Sequence, residues 1–276
     1  MTSLSLNALS TSNSKNPIGV FDSGVGGISV LKHIHALLPH ENLLYVADSK
    51  YAPYGSRTQA EITTRCFEIA DFLIAKNAKA LVVACNTATA AAIDAMRAKY
   101  DLPIIGMEPA VKPAAAATKS GIIGVLATVG TLKSAQFAAL LENYGRNVEV
   151  VTQACVGLVE CIERGELTNQ STLDLVQQYC TPLLNEGADT IVLGCTHYPF
   201  VRPLIEQAVG SEITLIDTGA AVAKHLQKRL LALNLLADSK EVSKHSDVIF
   251  WTNSELAKPQ LIIDQLWGKT AQVNFL

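Results

Sequence analysis

Residues 80–89 read ALVVACNTAT, an apolar run that ends abruptly in a thiol and two polar side chains. A short apolar run of this kind, rich in valine and bounded by polar residues, is typical of a buried β-strand. The strand ends near Cys85, and Asn86 and Thr87 follow at once. Because ligands of open parallel α/β sheets bind beyond the carboxyl ends of the strands, this junction is a candidate functional site.

Short apolar runs alternate with longer amphipathic segments along the rest of the chain. The strands predicted from these runs are 18–21, 43–47, 80–84, 103–107, 121–127, 148–152, 190–194 and 213–217. Helices are predicted between the strands, among others over 27–38, 60–76, 88–99 and 171–186. This alternation predicts an α/β protein with mostly parallel sheets.

The predicted strands form two similar series of four. The first strand ends at Asp22 in one series and near Thr128 in the other, and the third strand ends at Cys85 and at Cys195. The separation in sequence between Asp22 and Thr128 is nearly equal to that between Cys85 and Cys195, which predicts an internal duplication. Two similar domains, related by a pseudo-two-fold axis, would then enclose the active site in the cleft between them, with one thiol on each side.

The domain organisation follows from these series. Residues 1–16, rich in Ser, Asn and Thr, are expected to be a mobile N-terminal tail. Residues 17–110 form the first predicted α/β domain and residues 111–219 the second. Residues 220–276, which contain two further predicted helices and a strand over 248–251, are expected to complete the first domain.

The composition is that of a globular enzyme with a large core, since 49% of the residues are hydrophobic and 17% are charged. A net charge of −3 does not indicate the broad basic surface that is typical of nucleic-acid-binding proteins. Six cysteines among 276 residues do not make a disulfide scaffold and favour a reducing cytosol. No apolar run is long enough to span a bilayer, and the N-terminal residues do not resemble a secretory signal. We therefore expect a cytoplasmic protein without a nucleic-acid or membrane partner.

Two of the six cysteines are candidates for chemistry. Free cysteines are usually buried and inert, and four are interpreted in this way: Cys66, Cys155, Cys161 and Cys180. Cys85 and Cys195 differ because both follow apolar strands at equivalent points and precede hydrogen-bonding side chains. Helix N-terminal N–H groups at such junctions also stabilise a thiolate.

His197 lies two residues past Cys195 and is a candidate to hold or shuttle a proton beside that thiol. A zinc site built from Cys85, Cys195 and His197 is an alternative. The sequence has no CxxC pair, however, and the two cysteines lie far apart along the chain. We therefore expect no metal.

Two turns lie beyond other predicted strand ends. The Gly-rich stretch DSGVGG at 22–27 can cradle an anion on its backbone N–H groups, but it lacks the dinucleotide pattern G-x-G-x-x-G. Asp22 could cap a helix, orient a thiol or bind an ammonium group. The turn made by Pro53, Tyr54 and Gly55 follows the second predicted strand and could line the same cleft.

Four motifs together resemble those of the bacterial glutamate racemases, in the cofactor-independent aspartate/glutamate racemase family. They are DSGxGG at 22–27, PYG at 53–55, ACNTA at 84–88 and GCTHY at 194–198. The resemblance runs from about Pro17 to at least Ala223, with the motifs in order and suitably spaced.

The resemblance implies an enzyme that interconverts L- and D-glutamate without pyridoxal phosphate, another cofactor or a metal, and that supplies D-glutamate for peptidoglycan. The catalytic cysteines of the family correspond to Cys85 and Cys195. Substrate contacts fall on Asp22, Ser23, Pro53, Tyr54, Gly55, Asn86, Thr87, Thr128, Thr131, Thr196 and His197. Glu163 resembles an acidic residue near the second cysteine, although segment 154–166 departs from the commoner family pattern. Homodimers are frequent in the family, and activation by a peptidoglycan precursor is left open.

Racemisation removes the Cα proton from one face and returns a proton to the other, which two acid/base groups on opposite faces accomplish directly. Thiols suit this work because the ordinary pKa of cysteine, about 8.5, is close to working pH. We hypothesise that Asp22 assists Cys85 and that His197 assists Cys195. Three rival functions remain: a racemase of aspartate, a dithiol redox protein and a two-domain binding protein.

Overall fold

The computed structural model of the chain describes residues 14–237, 247–255 and 257–276. Most of the predicted tail, residues 1–13, lies outside the described residues. The end of that segment contacts the body of the protein, because the backbone oxygen of Ser14 accepts a hydrogen bond of 2.5 Å from Lys79 Nζ.

The described residues form two sheets with helices around them. The strands are β1 (Ile18–Asp22), β2 (Leu43–Ala47), β3 (Ala80–Val83), β4 (Ile104–Ile105), β5 (Ile122–Ala127), β6 (Glu149–Ala154), β7 (Thr190–Leu193), β8 (Thr214–Ile216), β9 (Val248–Thr252) and β10 (Gln272–Phe275). The helices are α1 (Ile28–Leu37), α2 (Gln59–Ala75), α3 (Asn86–Lys99), α4 (Val111–Ala117), α5 (Val129–Leu132), α6 (Ala135–Tyr144), α7 (Leu158–Glu163), α8 (Gln170–Asn185), α9 (Arg202–Val209), α10 (Gly219–Ala232) and α11 (Ala257–Trp267). Short 3-10 helices cover Ser49–Tyr51, Tyr54–Ser56 and Tyr198–Val201.

The two sheets repeat one topology. The first has six strands in the order β10-β9-β2-β1-β3-β4, and the second has four in the order β6-β5-β7-β8. All of the strand pairings are parallel. In both sheets the first strand of the series lies between the second and the third, and the fourth lies beyond the third. The predicted α/β class with parallel sheets in two halves is confirmed, and the common strand order supports the duplication.

Two strands differ most from the prediction. The strand expected over 103–107 is reduced to Ile104–Ile105, and Pro103 before it has no N–H to donate to a ladder. Strand β10 was not predicted. It is short, lies at the edge of the sheet and buries none of its residues fully, so its sequence QVNF carries no apolar run.

Helices cover both faces of the first sheet, and β1 is buried along its whole length as a result. Helices α1 and α10 pack on one face, and α2 and α3 pack on the other. The C-terminal segment contributes Phe250, Ile263 and Trp267 to the first of these cores. Each such side chain stabilises the fold by about 1.5–3 kcal/mol on burial. The residue boundaries of the two domains stay a prediction.

All six cysteines are buried and free. Among the helices of residues 14–237, 247–255 and 257–276, none has both the length and the apolar character needed to cross a membrane.

Candidate active site

The carboxyl ends of strands from both sheets meet at one place. β1 ends at Asp22, while Cys85 and Cys195 follow shortly after β3 and β7. The two halves line one narrow cavity there, with about 10 Å³ of free volume. Its lining consists of Ser23, Pro53, Tyr54, Gly55, Cys85, Asn86, Thr87, Thr128, Thr131, Val159, Gly194, Cys195, Thr196 and His197.

Most of the predicted site residues therefore line a single cavity. Asp22 lies behind the cavity wall and is fully buried, and Glu163 lines a larger neighbouring cavity of about 610 Å³. Val159 and Gly194 line the site but were not predicted. A Cβ at Gly194 would lie 2.8 Å from the backbone oxygen of Leu126. The glycine directly before Cys195 therefore indicates that another segment of backbone packs closely there. Val159 is an apolar helix residue, and nothing in the sequence indicated that it would line the site.

Cys85 caps helix α3, and its sulfur accepts a hydrogen bond of 3.4 Å from the N–H of Ala88. The thiol donates to Ser23 Oγ at 3.9 Å. Burial raises the pKa of Cys85 well above its ordinary value, the charge of Asp22 raises it further, and the Ala88 N–H acts in the opposite direction. The helix terminus that was expected to favour a thiolate is present, but desolvation outweighs it and favours the neutral thiol of Cys85.

Asp22 occupies the backbone N–H groups of the Gly-rich turn. Its two carboxylate oxygens each accept a hydrogen bond of 2.7 Å, one from Ser23 N–H and the other from Gly27 N–H. Thr196 Oγ1, from the other half, lies 3.5 Å from the second oxygen. Burial raises the pKa of Asp22, and the positive charge of His197 acts in the opposite direction. The turn therefore binds an anion as expected, but at these two groups the anion is the protein's own carboxylate.

His197 lies between Cys195 and Glu163. Its Nδ1 is 3.7 Å from Cys195 Sγ, and its Nε2 is 2.6 Å from Glu163 Oε1. The N–H of Val25 donates to the same Glu163 oxygen at 2.7 Å. Burial acts to lower the pKa of His197, but the hydrogen bonds and charges of Cys195 and Glu163 outweigh it and hold that pKa well above its ordinary value. These surroundings therefore favour the protonated imidazole beside the Cys195 sulfur.

Two glycines of the DSGVGG turn make room for this arrangement. A Cβ at Gly24 would lie 1.9 Å from Glu163 Oε1, and a Cβ at Gly26 would lie 2.1 Å from His197 Nδ1. Only glycine therefore lets the turn of the first half approach the acid and the imidazole of the second half. The sequence showed the glycines but not what they approach.

Three threonine hydroxyls join the two halves across the cavity. Thr87 Oγ1 lies 2.9 Å from Thr128 Oγ1 and 3.1 Å from Thr131 Oγ1. Thr128 and Thr131 are themselves 3.1 Å apart. A hydroxyl both donates and accepts, so these groups can exchange their mutual bonds for bonds to a carboxylate.

Asn86 offers further hydrogen-bonding capacity. Both polar atoms of its amide are buried, and neither has a partner among the described residues. A buried amide without partners costs about 1–3 kcal/mol per group. Because Asn86 lines the cavity, a polar ligand there would satisfy it.

The PYG turn lines the cavity through Pro53, Tyr54 and Gly55, as the sequence predicted. The Tyr54 hydroxyl, however, donates a short hydrogen bond to Asp48 and not to the cavity. Asp48 follows β2 directly, just as Asp22 ends β1, but it was not predicted as a site residue. Within the described part of the chain, no group of three or more His, Cys, Asp or Glu side chains is placed to hold a metal ion.

Known proteins resemble this chain in sequence and in fold. The family model described as Asp/Glu/Hydantoin racemase matches residues 18–226. A glutamate racemase of Ectopseudomonas mendocina (strain ymp) is 55% identical over 262 residues, which cover 95% of this chain and 98% of the relative.

Solved structures agree with these matches. A glutamate racemase isoform from Bacillus anthracis has a TM-score of 0.86 and 34% identity, covering 95% of this chain and 98% of its own. The Escherichia coli glutamate racemase, solved with L-glutamate and the activator UDP-MurNAc-ala, has a TM-score of 0.82 and 30% identity at the same coverages. Fold and matches together define the protein as an isomerase of the amino-acid racemase class. The chain belongs to the Asp/Glu/hydantoin racemase family.

Proposed function

We propose that the chain interconverts L- and D-glutamate by a two-base mechanism, with Cys85 and Cys195 acting on opposite faces of the substrate. The observation that carries the proposal is that the two thiols, one from each half, line the same cavity. The named glutamate racemases, one of them solved with L-glutamate, support glutamate as the substrate. The threonine hydroxyls and the unpartnered Asn86 amide support a ligand with a carboxylate.

The two thiols have opposite electrostatic surroundings. The His197 imidazolium stabilises negative charge on the Cys195 sulfur. Burial and the Asp22 charge raise the pKa of Cys85, and so favour its neutral form. In this proposal Cys195 therefore acts first as the base and Cys85 as the acid. One base and one acid are what the first proton transfer requires.

In one direction, the Cys195 thiolate removes the Cα proton. The electron pair of the broken C–H bond passes into the substrate carboxylate as an enediolate. The pair then forms a new C–H bond with the proton that Cys85 delivers to the opposite face. Cys195 ends as a thiol and Cys85 as a thiolate, which is the state from which the reverse reaction begins. Protons and charge balance without an oxidant or a reductant.

The enediolate is the species that the cavity must stabilise. Asn86, Thr87 and Thr131 offer N–H and O–H donors whose positions are already fixed by the fold. Preorganised donors in a closed site stabilise developing charge more strongly than water does, because no reorganisation is needed during the reaction. The loss of one such donor typically costs about 100- to 1000-fold in kcat.

Incubation with L-glutamate in deuterated water, without added cofactor, tests the proposal. The expected product is D-glutamate that carries deuterium at Cα, detected by chiral chromatography with mass spectrometry. A wild-type protein that yields neither D-glutamate nor Cα exchange would overturn it. A redox protein would instead form a Cys85–Cys195 disulfide without Cα exchange, and a binding protein would retain glutamate without turnover.

A parallel incubation with L-aspartate tests the nearest rival. Glutamate carries one methylene more than aspartate, and a site shaped for one is expected to disfavour the other by about 10- to 200-fold in kcat/KM. A higher kcat/KM for aspartate would contradict the substrate assignment while leaving the two-base mechanism intact.

The proposal also places the reaction in cell-wall synthesis in the cytoplasm, where it would supply D-glutamate for peptidoglycan. Expression of the chain should then relieve the D-glutamate requirement of a bacterium that lacks its own glutamate racemase, and the Cys85→Ser variant should not. The activator in the E. coli structure supports a test of precursor activation here. Rates with and without UDP-MurNAc-ala decide that point, and light scattering decides whether the chain forms a homodimer.

A further inference from the structure

Asp48 is the centre of a buried hydrogen-bonded group just outside the active-site cavity. We call this group, made of Asp48, Tyr54, Arg65 and Asn253, the Asp48 cluster. The Asp48 side chain is fully buried, and each of its oxygens accepts two hydrogen bonds. Arg65 donates from Nε at 3.0 Å to one oxygen and from Nη2 at 2.7 Å to the other. The Tyr54 hydroxyl and the Asn253 amide donate the remaining two.

The members of the cluster come from distant parts of the chain. Asp48 follows β2, and Asn253 follows β9, the parallel neighbour of β2 in which Thr252 pairs with Ala47. Arg65 lies in the middle of α2. The carboxylate therefore joins a helix of the first half and the C-terminal segment to the turn that carries Tyr54.

Asn253 and Arg65, together with Arg57, also contact the part of segment 49–57 that precedes the PYG turn. The Lys50 N–H donates to Asn253 Oδ1 at 2.9 Å. The Arg65 guanidinium lies 4.1 Å from the centre of the Tyr51 ring, and Arg57 Nε donates to the Tyr51 backbone oxygen at 2.5 Å. Cations over aromatic rings contribute about 0.5–2 kcal/mol each. Segment 49–57 is thus fixed at several points on the side away from the cavity.

The position of this turn matters because it meets the other half directly. A Cβ at Gly55 would lie 2.9 Å from Thr128 Cβ, and a Cβ at Gly130 would lie 3.1 Å from the Gly55 backbone oxygen. The turn also lines the cavity through Tyr54 and Gly55. Even a small shift of the turn would therefore change both the cavity wall and the contact with the threonine hydroxyls.

We propose that Asp48, Arg65 and Asn253 are positioning residues that act through Tyr54 to hold the PYG turn in its substrate-binding place. None of the three lines the cavity, so the proton transfers do not involve them. The inference rests on the proposed racemisation for its kinetic readout, and it assigns a functional role to the C-terminal segment, which carries little of the motif resemblance.

Asn253→Ala is the first test, because it removes one partner of Asp48 at a half-buried position and leaves the Arg65 pair intact. We expect KM for glutamate to rise about tenfold, the cost of a lost hydrogen bond to a charged group, with kcat changed less than about threefold. The matched control is Asn274→Ala, which removes a β10 amide that donates to the Phe250 backbone oxygen and lies outside the Asp48 cluster. The control should leave both constants unchanged.

A double-mutant cycle distinguishes positioning from general destabilisation. Tyr54→Phe removes only the hydroxyl that Asp48 accepts and keeps the ring in place. If Asn253 acts through Tyr54, the double variant should stay within about twofold of the larger single effect on KM, because contacts in one network are not additive. A double variant whose increase in KM equals the product of the two single increases would overturn the proposal. An Asn253→Ala variant with unchanged KM would overturn it as well.

Amide hydrogen exchange provides a readout that does not depend on activity. Asn253→Ala should speed exchange in peptides that cover residues 49–57 and leave β3, over 80–83, as protected as in the wild type. Unchanged exchange in the turn would contradict the cluster's role. If the wild type did not racemise glutamate, the proposed function would fail, and exchange together with calorimetric binding of glutamate would still decide whether the cluster holds the turn.

Discussion

His197 Nε2 lies 2.6 Å from Glu163 Oε1, while the other ring nitrogen of His197 faces Cys195. Behind the second thiol, His197 and Glu163 therefore form a hydrogen-bonded pair of ionisable side chains. Glu163 also lines a larger cavity. Behind the first thiol, Cys85 donates to Ser23 Oγ and Ser23 Oγ donates to Asp22. The Asp22 carboxylate is fully buried and bonded to the DSGVGG turn. The two halves share a topology, but they present their thiols in different electrostatic surroundings.

Replacement of either cavity cysteine should abolish racemisation. Cys85→Ser and Cys195→Ser each remove one of the two groups that exchange protons with Cα, and a serine hydroxyl is far too weak an acid to replace the thiol. We expect kcat to fall by at least about 1000-fold, within the range of general acid–base catalysis. The rate of racemisation is measured from the circular dichroism signal of glutamate. The buried Cys180, which lies in the core of the second half, provides the control, and Cys180→Ala should keep most of the activity.

Asp22→Asn and His197→Asn should impair opposite directions of the reaction. Asp22 lies beside Cys85 and His197 beside Cys195, so each variant weakens one thiol as a base more than the other. We expect a difference of at least about tenfold between the losses in kcat for L- and D-glutamate. Initial rates from both enantiomers provide the measurement. Equal losses in the two directions would show that the neighbours do not serve separate cysteines.

Glu163→Gln should shift the pH dependence of kcat/KM. Glu163 helps to raise the pKa of His197, so its neutral replacement lowers that pKa. Because the imidazolium exists only below its pKa, the decline of activity with rising pH should begin at a lower pH in the variant. Glu160→Gln, a change on the same helix outside the hydrogen-bonded chain, should leave the profile in place. A Glu163→Gln profile identical to that of the wild type would exclude this coupling.

Thr87→Val tests the hydroxyls that bridge the halves. The substitution keeps the shape of the side chain and removes an oxygen that contacts Thr128 and Thr131. We expect KM for glutamate to rise about 10- to 100-fold, since a charged carboxylate would lose a donor. Thr181→Val, on the exposed face of α8, is the matched control. A Thr87→Val variant with the wild-type KM would show that this hydroxyl does not bind the substrate.

The buried pair of Lys79 and Glu41 should contribute strongly to stability. Their charged groups are 2.5 Å apart with side chains 1% and 2% exposed, and Glu41 also accepts from the Ala237 N–H. Lys79→Ala leaves the Glu41 charge buried without its cation, which costs about 3–5 kcal/mol in the free energy of unfolding. Urea denaturation measures this. The exposed pair of Lys99 and Asp71 is the comparison, and Lys99→Ala should change the free energy of unfolding much less, because solvent screens an exposed pair.

Much of the fold could be predicted from local patterns. Buried parallel strands are continuous apolar runs, so β2 and β5 stand out in the sequence. Strand β10 does not, because an edge strand can remain half-exposed. Helix α3 begins at Asn86, two residues before the predicted start, because Cys85 supplies the cap. Caps of this kind depend on where a side chain points, which periodicity does not report.

The site could be predicted as far as it lies on strand ends and motifs. Cys85, Cys195 and His197 were found because a thiol or imidazole directly after a buried strand is conspicuous in the sequence. Asp48 and Asn253 were missed, since their meeting depends on the parallel pairing of β2 with β9. Val159 was missed because nothing distinguishes it from any other apolar residue on a helix.

The sequence by itself determined the α/β class, the two series of strands and the chemical groups at their ends, because hydrophobic period and residue type are local properties. Only the tertiary structure decided that Cys85 and Cys195 share one cavity, that Glu163 bonds His197, and that burial raises the pKa of Cys85. Distances and desolvation arise when distant segments pack together. They belong to the fold as a whole and not to any one stretch of the chain.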